Sequence, residues 1–217
     1  MDNMQRLLDK GLEQLTAMVF KMGEVAEKAL SISIGGFVRG KDTSEDVFEL
    51  SEILVTMTVE IEEKSFSLIA KYQPVASDLR IINSYIKIAY DFERFGRYAW
   101  DISYLSKRFG RLVICDEWIP EYIGIMGEKV LQMVKISNNS LKSLDTELAK
   151  TVTKTEQEVD DLYFQYLGKL VEKAGATNEC TVTSVLVVRY LERIADHATY
   201  ITEAVVYIAT GEKVTLR

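Results

Sequence analysis

The chain of 217 residues carries 26 Lys+Arg against 33 Asp+Glu, a formal net charge of −7, with 47% hydrophobic and 27% charged residues. This mixture excludes wholesale disorder, and the acidic balance excludes a nucleic-acid binder, which needs a basic stripe to meet phosphates. Only 2 prolines and 12 glycines punctuate the chain, too few turns for many short strands, so it reads as all-α and built from a few long helices.

The start, Met1-Asp-Asn-Met-Gln-Arg-Leu-Leu-Asp-Lys10, lacks a basic region followed by an apolar run and is not a secretory leader. No window approaches the roughly 18 apolar residues of a membrane span. Cys115 and Cys180 show no CxxC or CxH spacing, so they read as idle or buried thiols of a cytoplasmic protein in a reducing compartment.

A first helix covers about 3–38, with Gly35-Gly36 marking a close helix approach or a bend. Asp42-Thr-Ser-Glu45 starts a second over about 44–72, where Thr43 or Ser44 can accept from free backbone amides. Along it Val47, Leu50, Leu54, Met57, Ile61, Leu68 and Tyr72 form an apolar stripe interrupted by Lys64. Gln73-Pro74 ends it, because the residue before proline avoids the α region. A third helix covers about 75–109. Asp116-Glu-Trp-Ile-Pro120 opens a fourth over about 117–143, followed by a fifth over about 146–173 and a sixth over about 177–210. Lys173-Ala-Gly175 and Thr210-Gly211 stop the last two. Rods of about 45 Å joined by short connections imply antiparallel neighbours.

The two halves repeat one another. Met22-Gly-Glu24 recurs as Met126-Gly-Glu128 (126 − 22 = 104), Glu60-Ile-Glu-Glu63 as Glu158-Val-Asp-Asp161 (158 − 60 = 98), and Phe92-Glu-Arg-Phe95 as Leu191-Glu-Arg-Ile194 (192 − 93 = 99). Three matches in the same order at nearly constant offset indicate a tandem duplication of a three-helix unit, with the break near Gly110–Cys115. The expected domains are 1–112 and 113–217.

In the second half Glu156 and Asp160 stand four apart, as do Glu192 and Asp196. Each pair shares a helix face, and adjacent pairs would make an oxygen-rich anionic patch suited to Mg²⁺, Mn²⁺ or iron. On a helical wheel Asp196, Thr199 and Glu203 fall within about 40° of Glu192, opposite Tyr190, Ile194, Ile201 and Ile208. The carboxylates therefore face away from the core, where they form either a surface metal site or a solvated acidic face. His197, the single histidine, lies nearer the apolar side and reads as packed rather than ligating. No Glu-x-x-His occurs, which excludes a ferritin-like di-iron centre. Phosphate-cradling glycine loops and nucleophile motifs are also missing.

Gln73-Pro-Val-Ala-Ser-Asp-Leu-Arg80 with Asp91-Phe-Glu-Arg-Phe95, and Tyr190-Leu-Glu-Arg-Ile-Ala-Asp-His-Ala198 with Tyr207-Ile-Ala-Thr-Gly-Glu212, resemble the two repeats of the PhoU family. The resemblance covers essentially the whole chain. It implies six long antiparallel helices in two tandem three-helix bundles. It also implies negative regulation of phosphate uptake by a non-enzymatic protein acting on the ATPase subunit of a phosphate-specific ABC transporter and on a sensor kinase. A homodimer is implied, cytoplasmic or peripheral at the inner membrane face through the transporter.

Family members bind metal ions through paired E(D)xxxD motifs, carried over here to Glu156, Asp160, Glu192 and Asp196. The ion would be iron, Mn²⁺, Zn²⁺, Ni²⁺ or Mg²⁺. The repeat offsets place Thr58, Glu62, Glu93 and Arg97 at the equivalent first-repeat positions. There one carboxylate is lost from each motif, and Arg97 can pair with Glu93, so that site is expected to bind metal weakly or not at all. Asp101, about 80° from Glu93 on the wheel, could compensate in part. The alternatives are a metal-free helical scaffold and a metal-dependent hydrolase, the latter disfavoured because a shallow face excludes little water. Trp100, Tyr104 and Trp118 read as core residues, or else as part of a dimer or transporter surface.

Overall fold

The computed structural model describes residues 2–109, 115–173 and 179–216. Within them the chain forms α1 (Asp2–Arg39), α2 (Ser44–Tyr72), α3 (Ala76–Phe109), α4 (Trp118–Ser143), α5 (Thr146–Lys150), α6 (Val152–Lys173) and α7 (Glu179–Thr210), with no strand among the described residues. The first four match the spacing-based limits to within about a residue. Residues 110–114 of the anticipated break, the stop at Ala174-Gly175 and positions 177–178 of the sixth rod lie outside the described residues.

The fifth rod is interrupted, contrary to the continuous helix expected over 146–173. Asp145 caps α5 by accepting from the Glu147 and Leu148 N–H groups. At Thr151 the backbone N–H and the hydroxyl both return to the Leu148 carbonyl, at 3.1 and 2.6 Å. This tighter i→i−3 closure breaks the α ladder before α6 begins.

The other ends follow their local chemistry. Gly40 adopts φ +63 and lets the chain leave α1 while the Lys41 N–H donates to the Gly36 carbonyl at 2.8 Å. A Cβ on Gly36 would lie 2.7 Å from the Thr43 side chain, so the close approach is to the following turn rather than to another helix. The α2 cap also differs from expectation. Asp42 Oδ1 accepts from the Ser44 N–H at 2.9 Å, while the Thr43 hydroxyl pairs with Ser103 Oγ at 3.1 Å. Gln73 turns left-handed at φ 49 before Pro74, its N–H on the Ile69 carbonyl.

α2 packs on α1 and α3, α6 packs on α4 and α7, and the halves meet through α1 against α4 and α3 against α7. One continuous core results. On α2 the stripe residues Val47, Leu54 and Ile61 are fully buried, whereas Leu50, Met57 and Tyr72 are half-buried. Beside them runs a buried row of small hydroxyl residues, Ser44, Ser51, Thr58 and Ser65. Such small side chains let α2 and α3 close up: a Cβ on Gly96 would come 2.5 Å from Leu54 Cδ1 and 3.4 Å from Ser51 Cα.

The contacts between the halves are reciprocal. On α1 a Cβ at Gly23 would lie 2.6 Å from Asn138 Oδ1 of α4, and on α4 a Cβ at Gly127 would lie 2.6 Å from Ile34 Cγ2 of α1. The repeat offset converts one contact into the other, since 23 + 104 = 127 and 34 + 104 = 138. α3 and α7 behave alike. The Tyr98 and Tyr190 rings stack at 5.8 Å, while His197 Nδ1 donates to Asp91 Oδ1 at 2.7 Å, and 98 + 99 = 197 while 91 + 99 = 190. Residue i meeting j′ while i′ meets j is the signature of a local two-fold relation. We expect Gly127→Leu to destabilise the fold by about 1–3 kcal/mol through overpacking against Ile34, and less in an Ile34→Ala background, as measured by denaturant melts.

Cys115, just before α4, and Cys180, at the start of α7, form a disulfide with Cα atoms 5.6 Å apart across 65 residues of sequence. The reading of both as idle thiols is thereby corrected: nothing in their sequence spacing reveals that α4 and α7 start side by side. The cross-link should stabilise the oxidised chain by about 2–4 kcal/mol. Melting with and without dithiothreitol should show that difference in the wild type and none in Cys180→Ser.

Candidate functional site

α6 carries Glu156 and Asp160 and α7 carries Glu192 and Asp196, and the two helices pack along a seam where Asp160, Glu192 and Asp196 act on one another. The seam is not the outward face inferred from the wheel. Glu156 is only 6% exposed, the Glu192 and Asp196 side chains each 14%, and Thr199, in the same sector, is fully buried. A wheel treats a helix as having one neighbour, whereas α7 packs against α3, α4 and α6 and is covered on three sides. Only Asp160 of the four lies fully at the surface.

Burial pushes the Glu192 carboxyl above the usual range, with repulsion from Asp196 and more weakly from Asp160 adding to it against Arg189 and Arg193. Three of the acids therefore share one electrostatic neighbourhood. Counter-charge comes from one turn back on α7: Arg189 Nη1 meets Glu192 Oε2 at 2.7 Å, and Arg193 Nη1 meets Asp196 Oδ2 at 3.3 Å. Among the described residues no three of His, Cys, Asp and Glu converge as a ready metal cage. In kind, the all-carboxylate donor set suits a hard cation, and the repulsion at Glu192 is what such a cation would relieve. The two arginine side chains, 46% and 38% exposed, can swing into solvent.

The first-repeat positions are built differently. Thr58 is buried in the hydroxyl row of α2, its Oγ1 donating to the Leu54 carbonyl at 3.1 Å. Glu62 is half-buried. Arg97 Nε stands 3.8 Å from Glu93 Oε1, the pairing expected from their spacing. Burial pushes the Asp101 carboxyl up, opposed by Arg94 and Arg97, and its charge is felt by Tyr190 of α7. Asp101 thus belongs to the contact between the halves.

Reasoning from sequence missed the arginines of the second repeat, although Arg189-x-x-Glu192 and Arg193-x-x-Asp196 are helical i,i+3 pairs. It also missed that Arg193 reaches α3. Burial raises the Tyr98 phenol, but hydrogen bonds from Arg94 and Arg193 outweigh it and hold the group below its ordinary value. His197 is packed, 4% exposed, with its ring against Tyr98 and perpendicular to Tyr200.

Because the folded-state Glu192 carboxyl is raised, the folded chain holds the proton more tightly than the unfolded chain does. The ionised group thus costs stability as pH rises above the unfolded carboxylate range near about 4.3. With EDTA present, Glu192→Gln should melt higher than wild type at pH 7.5, and the gain should vanish at pH 4.

A family model for the PhoU domain matches residues 19–105 and again 123–205. A Clostridium acetobutylicum protein named a phosphate-specific transport system accessory protein PhoU homolog is 33% identical, covering 98% of both chains. A Caulobacter vibrioides protein of the same name is also 33% identical, over 94% of this chain and 90% of its own. The crystal structure of PhoU from Pseudomonas aeruginosa superposes with a TM-score of 0.89 at 26% identity, covering 94% of this chain and 99% of that one. That of the phosphate transport system regulatory protein PhoU from Streptococcus pneumoniae, at 20% identity, shares the fold with a TM-score of 0.85, covering 95% and 99%. With both copies of the domain present and relatives matched over nearly their whole length, the chain belongs to the PhoU family.

Proposed function

We propose that this chain is an accessory regulator of a phosphate-specific transport system, restraining uptake by docking on the transporter's ATPase subunit and, where one exists, on a sensor kinase. The likeness to accessory proteins so named, running through both domain copies and 98% of the chain, carries the reading. We read the chain as non-enzymatic and as a homodimer, acting in the cytoplasm at the inner membrane face. No described helix is long and apolar enough to cross a membrane.

Within this reading Glu156, Asp160, Glu192 and Asp196 hold an iron, Mn²⁺, Zn²⁺, Ni²⁺ or Mg²⁺ ion. The ion would supply the positive charge that Arg189 and Arg193 supply in the structure, freeing both arginines toward solvent, where a partner's acidic groups can meet them. The same salt bridges favour a second reading, a metal-free scaffold whose seam is already neutralised.

Elemental mass spectrometry on protein purified without an affinity tag separates the two. The metal-holding reading requires metal that disappears in Glu192→Ala/Asp196→Ala and persists in Glu62→Ala/Glu93→Ala. It also requires a rise in melting temperature on adding Mn²⁺, because binding only the folded state stabilises it. Equal occupancy in both double variants would refute the asymmetry between repeats. A protein that stays metal-free after soaking in all five ions would leave the scaffold reading. Transporter regulation itself is tested by co-purification with the ATPase subunit.

A further inference from the structure

α2 carries more apolar surface than its own bundle uses. Its buried stripe faces α1 and α3, yet Phe48, Val59 and Phe66 are 45%, 50% and 60% exposed, with half-buried Val55 between them. Positions 48, 55, 59 and 66 are spaced 7, 4 and 7 apart, a second helical stripe about 100° from the buried one. It extends for 66 − 48 = 18 residues, about 27 Å. At its upper end the Phe48 ring packs at a tilt against Trp100 of α3 at 5.7 Å, and Trp100 against Tyr104 at 5.5 Å. These rings line a notch of about 390 Å³ with Glu45, Glu49 and Lys107. Phe164, which the 98-residue offset makes the counterpart of Phe66, is also exposed, at 69%. Exposure of this phenylalanine therefore belongs to the repeat position and not to one accident of packing.

The charge beside the stripe indicates what covers it. From Ser44 to Phe66 the helix carries seven acids, Glu45, Asp46, Glu49, Glu52, Glu60, Glu62 and Glu63, and one base, Lys64, which donates to Gln14 Oε1 of α1. Among the described residues only Glu45 of these is paired, with Lys107 at 3.8 Å. An apolar stripe with an acidic flank repels an anionic lipid surface and nucleic acid alike. It complements an amphipathic helix with Lys or Arg beside its apolar anchors. We propose that the outer α2–α3 groove, from Phe48, Trp100 and Tyr104 to Phe66, docks a basic amphipathic helix of a partner protein about five turns long. This rests on the reading that the chain works by docking to a protein, and assigns that contact a place and a charge.

The probe is a fluorescein-labelled amphipathic peptide of about 18 residues built from Leu and Lys, followed by anisotropy on the full chain. It should bind wild type in a salt-dependent way. Binding should weaken at least about tenfold in Phe48→Ala/Phe66→Ala and in Glu49→Lys/Glu52→Lys. An equal charge change on α4, Glu121→Lys/Glu128→Lys, should leave it largely intact, and a Leu/Glu peptide should not bind. All these positions are exposed, and superposable melting curves would show that the variants fold. Equal loss in the α4 variant, undiminished binding by the phenylalanine variant, or equal binding of the Leu/Glu peptide would each overturn the proposal. The peptide needs neither metal nor transporter, so its failure leaves the transport reading standing. Lost ATPase co-purification with peptide binding intact counts against that reading alone.

Discussion

Long helices approach closely where a glycine leaves room for a neighbour's side chain, and in this molecule that happens twice about one local axis. Gly23 lies under Asn138 and Gly127 under Ile34, so α1 and α4 cross antiparallel with a neighbour's side chain seated over each glycine, and a larger residue at either would have to push it aside. The crossing is reinforced by Asn138 Nδ2, which donates to the Gly23 carbonyl at 3.1 Å and to Glu27 Oε2 at 2.9 Å. Once α1 and α4 are fixed, α3 and α7 meet in register, with the Tyr98–Tyr190 stack and the His197–Asp91 pair as counterparts. One half of that interface is a pair of tyrosine rings and the other a histidine–aspartate hydrogen bond, so equivalent geometry persists after the chemistry has diverged.

The seam between α6 and α7 inherits its electrostatics from that arrangement. Because α7 is enclosed, Glu192 and Asp196 are desolvated and repel one another, and the helix supplies its own arginines to compensate. Arg193 serves two sides: it pairs with Asp196 at 3.3 Å and, with Arg94, holds the Tyr98 phenol of the other half below its ordinary value. Any change of charge at Asp196 is therefore felt at the joint between the halves, through a single side chain rather than through movement of a whole helix.

Much of the fold was legible because helix periodicity, proline and glycine act locally. Gln73-Pro74 and Gly211 end helices for backbone reasons that require no knowledge of neighbours. Burial of the carboxylates was not legible, because it depends on how many helices surround α7. The Cys115–Cys180 bond escaped notice for the same reason, and the break at Thr151 because its hydroxyl competes for a carbonyl that any helix would otherwise use. The Thr43 cap failed on a tertiary contact, its hydroxyl being taken by Ser103 of α3. The four candidate acids were found by spacing. Their counter-ions stand at i,i+3 spacings just as regular, which a pattern of like charges does not display. Thr58, the degenerate first-repeat position, lies in the small-residue row of α2.

Arg97 stands where its counterpart Asp196 is acidic, and that difference follows from having both copies in one chain. In an assembly of two identical subunits each replacement is suffered twice, so a loss at one site is a loss at both. A gene that encodes both halves lets one drift while the other stays under selection. It also gives a nearly symmetric body a front and a back, so that whatever grips it can do so in only one orientation.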